Sequence, residues 1–267
     1  MSHTPATMTS LEAYIRARLQ HKKLLLMTHA VVGYPSFDAN MAMLEAMQRA
    51  GADLVELQLP FSEPIADGPV FLRANQGALD AGVTWEQYFA FMQRASKAFD
   101  FKILMMGYYN SVLQMGHETF CACVAEHGGS GFIVADLPPE EANDLYERAA
   151  ALHLAPIVLM TPTNTLSRLQ QLAQYARGFV YCVARKGVTG TQTHIDQSLE
   201  AFMARCRRVT SLPLALGFGL RTGDDLRQIQ GLADIGVVGT ALLTAWEEGG
   251  AARYEALLQE LRAATTD

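Results

Sequence analysis

The chain has 267 residues, half of them hydrophobic, with 27 acidic against 21 Lys and Arg side chains and a formal charge of −6. That length suits one large α/β domain. The acidic balance, with no block of Lys and Arg, excludes an electrostatic nucleic-acid binder and a protein held on an anionic membrane, yet allows a phosphate ligand, because backbone N–H groups at a helix start bind one without net positive charge.

In chain order, an amphipathic helix is expected over 11–20, placed to close the bottom of a barrel, then a strand over 23–32. Ser36 caps a helix over 37–50 that Gly51 stops, and a second strand covers 54–59. Thr84-Trp85-Glu86-Gln87 has the form of a capping box for a helix over 86–98, ahead of a strand over 102–108. A helix carrying Cys121 and Cys123 leads to a strand over 131–135. Pro139 sits in the first turn ahead of a helix over 140–152, and a strand follows over 156–160. Asn164 is placed to cap 165–176, before a strand over 178–184. A seventh strand covers 213–216, Thr222 caps 223–231, and an eighth strand covers 234–238. A short helix then opens at Gly239-Thr240-Ala241 and ends near Glu247.

The strands read as continuous apolar runs, as strands buried on both faces do. Eight of them alternating with helices predict a closed (β/α)8 barrel, one domain over 1–267, with an extra N-terminal helix and a short phosphate-binding helix after strand eight. A doubly wound open sheet is the alternative, but Val31-Val32-Gly33-Tyr34-Pro35 is not the GxGxxG fingerprint that such a sheet carries after its first strand. The chemistry of a barrel sits on the loops at the C-terminal ends of its strands.

Glu56 breaks the apolar run of strand two. It points either inward, where desolvation suits a general acid/base, or outward to pair with a helix. Asp67 lies in a loop bounded by Pro64 and Pro69 and serves either chemistry or a turn. The loop Ala184-Arg185-Lys186-Gly187-Val188-Thr189-Gly190-Thr191 has the glycines of a lid or a phosphate turn. Gly217-Phe218-Gly219 after strand seven and Gly239-Thr240 after strand eight match the phosphate site of such barrels. A histidine at position 29 reads as a satisfied core residue. The cysteines, at 121, 123, 182 and 206, form no CxxC pair and read as reduced thiols. No apolar run approaches a membrane span and no signal-peptide pattern opens the chain, so a soluble cytoplasmic protein is expected.

Glu56, Pro60-Phe61-Ser62-Glu63-Pro64, Ala66-Asp67-Gly68-Pro69, Ala135-Asp136-Leu137-Pro138, Thr161-Pro162-Thr163, Gly187-Val188-Thr189-Gly190 and Gly217-Phe218-Gly219, with Gly33-Tyr34-Pro35 and Tyr108-Tyr109-Asn110, fall in order at nearly every strand end. This set resembles the signature of tryptophan synthase alpha subunits over about residues 23–245. The resemblance implies retro-aldol cleavage of indole-3-glycerol phosphate to indole and D-glyceraldehyde 3-phosphate. It implies no cofactor in this chain, and a partner beta subunit that carries pyridoxal phosphate, in an alpha2-beta2 complex. It gives Glu56 the acid/base role and Asp67 the hold on the indole N–H. Phe61, Tyr108 and Ala135 would line the indole pocket, with Tyr181 near the reacting centre. Gly190, Gly219, Gly239 and Thr240 would cradle phosphate, and Thr189 would latch the lid onto Asp67. Departures from the family pattern are Gln58 for Gly, Glu63 for Asp, Thr240 for Ser, Lys186 for a small residue, and the unusual Met27-Thr28-His29-Ala30. Three alternatives stay open: a stand-alone indole-releasing lyase, a mainly regulatory subunit that activates a beta subunit, and a different phosphate-binding barrel such as an isomerase.

Overall fold

The computed structural model describes residues 10–183, 196–217 and 219–266. Eight strands pair in chain order, and the eighth closes on the first. They are β1 (Leu25–Val31), β2 (Leu54–Gln58), β3 (Lys102–Gly107), β4 (Gly129–Val134), β5 (Ala155–Met160), β6 (Val180–Val183), β7 (Leu214–Gly217) and β8 (Ile235–Val238). Every pairing is parallel. This is the (β/α)8 barrel that the alternation of apolar runs predicts.

Side chains along a strand alternate between two faces, and here the faces belong to two cores. Leu25, Met27, Leu54, Leu104, Met106, Ile133 and Ile157 fill the barrel interior. Their neighbours Leu26, Val55, Leu57, Ile103 and Met105 pack against the surrounding helices. The same period sends the next positions up, His29 on β1 and Glu56 and Gln58 on β2, to the inner face near the C-terminal mouth.

The N-terminal mouth is closed by α1 (Leu11–Leu19), capped by the Ser10 hydroxyl, which accepts from Ala13 N. Leu11 and Ile15 join the interior core. Tyr14 donates to the Asp53 carbonyl and Arg16 to the Ser211 carbonyl, both just ahead of a strand. Buried Asp53 accepts from Lys22 Nζ at 2.9 Å, Arg18 Nε at 2.8 Å and the Leu26 amide at 3.0 Å, so it ties α1, β1 and β2 together.

The outer layer comprises α2 (Phe37–Arg49), α3 (Pro69–Asp80), α4 (Trp85–Ala98), α5 (Tyr109–Met115), α6 (His117–Glu126), α7 (Leu145–Ala151), α8 (Leu166–Tyr175), α9 (Gln197–Val209), α10 (Gly223–Gln228) and α11 (Thr240–Thr266). Ser36 caps α2, Gly51 follows it at φ +73°, and Thr84 and Gln87 form the reciprocal capping box of α4. Two expected features differ. The helix over 140–152 is a single 3-10 turn, Pro139–Glu141, followed by α7, because Asn143 turns left-handed at φ +47° between them. The cap of α8 is Thr165, whose hydroxyl accepts from Arg168 N, while Asn164 accepts from Thr161 N. α11 is interrupted at Gly249 and Gly250, close to the expected end of a short helix near Glu247.

Candidate active site

The parallel register sets His29 beside Glu56, and since both point inward their side chains meet. His29 Nδ1 lies 2.6 Å from Glu56 Oε2, and its Nε2 lies 2.8 Å from Gln58 Oε1. Gln58 Nε2 donates to Asp67 Oδ2 at 2.7 Å, and at 3.4 Å to Asn75 Oδ1. The Tyr108 hydroxyl donates to the same Asp67 oxygen at 3.1 Å and accepts from the Ala66 amide. Glu56 and Asp67 are therefore joined through His29 and Gln58 in one buried chain. Glu56 is 3 % exposed, Asp67 5 % and His29 8 %.

Local chain chemistry holds Asp67 in place. Its amide donates to the Pro64 carbonyl, and Gly68 and Pro69 turn the chain directly into α3. Proline at the first helical position costs the helix nothing, because that N–H has no intrahelical partner. Asn75, one turn and a half into α3, accepts from the Phe61 amide and so pins the start of the same loop.

These groups face a cavity of about 760 Å³, including its open mouth, at the C-terminal end of the barrel. Met106, Ile133, Leu159 and Val237 give it apolar walls, with Ala66 and Ala135 beside them. Glu56, Asp67, His29 and Tyr181 line it as well. Gly219, Arg221, Gly239 and Thr240 stand where the loops after β7 and β8 meet. Buried polar atoms in folded proteins almost always have a partner. Glu56 Oε1 is buried and has none, and Glu56 lines the cavity.

Burial pushes the Asp67 carboxyl above the ordinary carboxylate range, against the opposing pull of the His29 charge and of the Gln58 and Tyr108 hydrogen bonds. Burial, reinforced by the charges of Glu56 and Asp67, pushes Tyr181 well above the usual phenol value and keeps it protonated. Among the described residues no group of three or more His, Cys, Asp or Glu side chains gathers as a metal site.

The cavity thus combines apolar walls, two buried carboxylates and the glycine-rich start of α11. Known proteins resemble this chain over nearly its whole length. A model of the tryptophan synthase alpha chain family matches residues 15–266. The tryptophan synthase alpha chain of Syntrophotalea carbinolica is 46% identical over 94% of this chain and 100% of its own length. That of Desulforapulum autotrophicum is 45% identical over 94% and 99%. The solved Mycobacterium tuberculosis tryptophan synthase superposes with a TM-score of 0.89 at 32% identity, covering 96% of this chain and 98% of that one. The chain belongs to the tryptophan synthase alpha chain family. Its reaction is that of the family, a carbon–carbon lyase step in tryptophan biosynthesis that cleaves indole-3-glycerol phosphate. Alpha chains of this family carry no cofactor of their own and work with a beta subunit.

Within this alpha chain, Glu56, Asp67, Ala135, Tyr181, Gly219, Gly239 and Thr240 line one cavity. Tyr108 and Phe61 stand one layer back. Tyr108 supports Asp67 from behind, and Phe61 stacks on it with ring centroids 5.2 Å apart. Gly219 adopts φ +96°, which a side chain would strain. A Cβ on Gly239 would sit 3.0 Å from Phe71 Cζ and 3.2 Å from His29 Cβ, so this glycine lets the β8 loop close on β1. Thr189 and Gly190, with Lys186 and Gly187, lie outside the described residues.

Three participants escaped the sequence reading: His29, which it places in the core, and Gln58 and Arg221. His29 is indeed satisfied at both ring nitrogens, but by Glu56 and by the glutamine that holds Asp67. Two departures from the family pattern on neighbouring strands, at 29 and 58, were the available signal. Arg221 follows directly on the glycine loop after β7 and lines the cavity beside Gly219.

Proposed function

We propose that Glu56 is the acid/base and Asp67 the indole anchor of this lyase. Cleavage breaks the bond between indole C3 and the hydroxyl-bearing carbon. The electron pair goes to C3, which takes up a proton, while the hydroxyl gives one up and becomes the aldehyde carbonyl. Glu56 Oε1 carries both transfers, so the enzyme ends in the protonation state in which it began. Asp67 accepts the N1–H as the ring gains positive charge, and two carboxylates thereby serve two roles set by different surroundings. The apolar walls hold the indole. The amides and hydroxyl of Gly219, Gly239 and Thr240 meet the phosphate at the start of α11, with the Arg221 charge alongside. Tyr181 stays protonated next to the reacting carbon. On the family resemblance, Phe61 and Tyr108 complete the indole pocket from behind Asp67, and Gly190 adds to the cradle. Thr189 closes onto Asp67, which excludes water.

The whole chain, 1–267, acts as one barrel domain in an alpha2-beta2 complex in the cytoplasm, passing indole to a beta subunit that holds pyridoxal phosphate. In support, no helix among the described residues is long and apolar enough to cross a membrane. The observation that carries the catalytic assignment is the Glu56 carboxylate, which lines the cavity and has one buried oxygen without a partner. Indole release from indole-3-glycerol phosphate, measured with and without the cognate beta subunit, tests the reading. Wild-type protein should release indole and do so faster in complex. The variant Glu56→Gln should lose about 10²–10⁴-fold or more in turnover while melting at a similar temperature. Turnover near wild type in that variant would contradict the assignment.

A further inference from the structure

We propose that His29 is a positioning residue for Glu56: its Nδ1 holds Oε2 and turns Oε1 to the cavity, and Gln58, anchored on Asp67, fixes the ring that does so. The inference rests on the acid/base reading of Glu56 and assigns a role to two residues which that reading leaves out.

Gln58 Nε2 lies 2.7 Å from Asp67 Oδ2, and an ionised carboxylate only accepts, so the amide nitrogen must face Asp67. Its oxygen then faces His29 Nε2 at 2.8 Å, so that nitrogen must carry a hydrogen. One ring nitrogen remains, Nδ1, 2.6 Å from Glu56 Oε2. Whether the ring is cationic beside a carboxylate or neutral beside a carboxylic acid, the two atoms share one proton. Oε2 is thereby occupied, and only Oε1, which has no partner, is left to meet substrate. The ring also packs against Phe71, with centroids 4.5 Å apart and the planes tilted by 46°. A general acid/base gains from having a single orientation, because a misplaced reacting atom lowers the rate without weakening binding.

The charge environment agrees. Burial alone would draw the proton off His29. The hydrogen bond and charge of Glu56, with the charge of Asp67 and the bond from Gln58, outweigh it and hold the ring's pKa above its ordinary value. Of the other titratable groups nearby, Tyr181 of β6 lines this cavity and Tyr108, which follows β3, stands behind it on Asp67; burial pushes both up and they stay neutral, and Arg221 comes from the β7–α10 loop. Phe71 of α3 and Gly239 after β8, which also lie against His29, carry no charge.

Two readouts test this. In nuclear magnetic resonance, the His29 ring should titrate above the ordinary histidine value in wild type and fall in Glu56→Gln. That result does not depend on which substrate is cleaved, so it separates this inference from the functional reading. An unchanged titration in Glu56→Gln would overturn the inference. In kinetics, His29→Phe keeps a ring and loses both nitrogens. Its kcat should fall about 10- to 100-fold with KM within about twofold of wild type. His29→Asn, which restores an N–H toward Glu56, should recover most of the lost kcat. Gln58→Gly, which frees the ring without touching it, should give an intermediate fall in kcat with KM again little changed. Wild-type kcat in His29→Phe would overturn the proposal. So would His29→Asn performing no better than His29→Phe, when both are folded by circular dichroism.

Discussion

Asp67 shows how far a single residue is shaped by function. A carboxyl 5 % exposed would be more comfortable as an amide, and burial does push its pKa above the ordinary 3.8. Folding therefore favours its protonated form. The stabilisation is fully present below about 3.8 and is lost as pH rises through the raised folded value. Asn at this position removes that dependence and keeps an oxygen for Gln58 and Tyr108. Asp67→Asn should thus melt higher than wild type at pH 7, with the gap closing toward pH 4, while indole release collapses. Scanning calorimetry at the two pH values checks it, and a lower-melting variant at pH 7 would contradict the sign. This is the trade of stability for activity expected where a buried charge has work to do. The sequence makes Glu56 visible as a carboxylate in an apolar run but does not say which way it points. That depends on strand register, which also brings His29 to it. Nothing in the sequence of β1 alone shows that residue 29 lies beside residue 56 rather than one position away.

At the scale of elements, the barrel depends on close backbone approach at a few seams. Gly131 of β4 pairs with Ala155 of β5, and a Cβ at 131 would lie 2.2 Å from the Ala155 carbonyl oxygen and 3.0 Å from its carbon. Backbone in a sheet cannot step aside as a flexible side-chain tip can. Gly131→Ala should therefore cost about 1–3 kcal/mol by overpacking, seen as a lower urea midpoint. An unchanged midpoint would mean that the seam yields. Elements with strong local chemistry are legible in sequence, such as α2 between Ser36 and Gly51, or α4 behind its capping box. The helix expected over 140–152 fails because a left-handed Asn143 leaves no mark in hydrophobic periodicity. The α8 cap is misassigned by one residue because Asn164 and Thr165 are both good caps, and only the turn at Thr161 decides between them.

The whole molecule divides its labour between the two ends of the barrel. The N-terminal end, with α1, Asp53 and its basic partners, serves stability. Ile15 is fully buried there, and Ile15→Ala should cost about 3 kcal/mol of unfolding free energy while leaving kcat unchanged. Loss of kcat in a folded Ile15→Ala protein would show that the two ends are coupled. The C-terminal end carries the glycine loops, the two carboxylates and the His29–Gln58 link between them. The barrel class follows from the sequence because eight apolar runs alternate with helices. The size of the cavity, its arginine and its buried polar chain arise only where loops from different strands meet. The central claim is that one cavity holds the indole against Asp67, the reacting carbon against Glu56 Oε1 and the phosphate against Gly219, Gly239 and Thr240. A crystal structure with a non-cleavable indole-alkyl phosphate tests all three contacts at once. The indole nitrogen should lie within hydrogen-bond distance of Asp67, indole C3 beside Glu56 Oε1, and the phosphate at the start of α11. An analogue bound in reverse, or outside the barrel mouth with Glu56 Oε1 still open, would contradict the account.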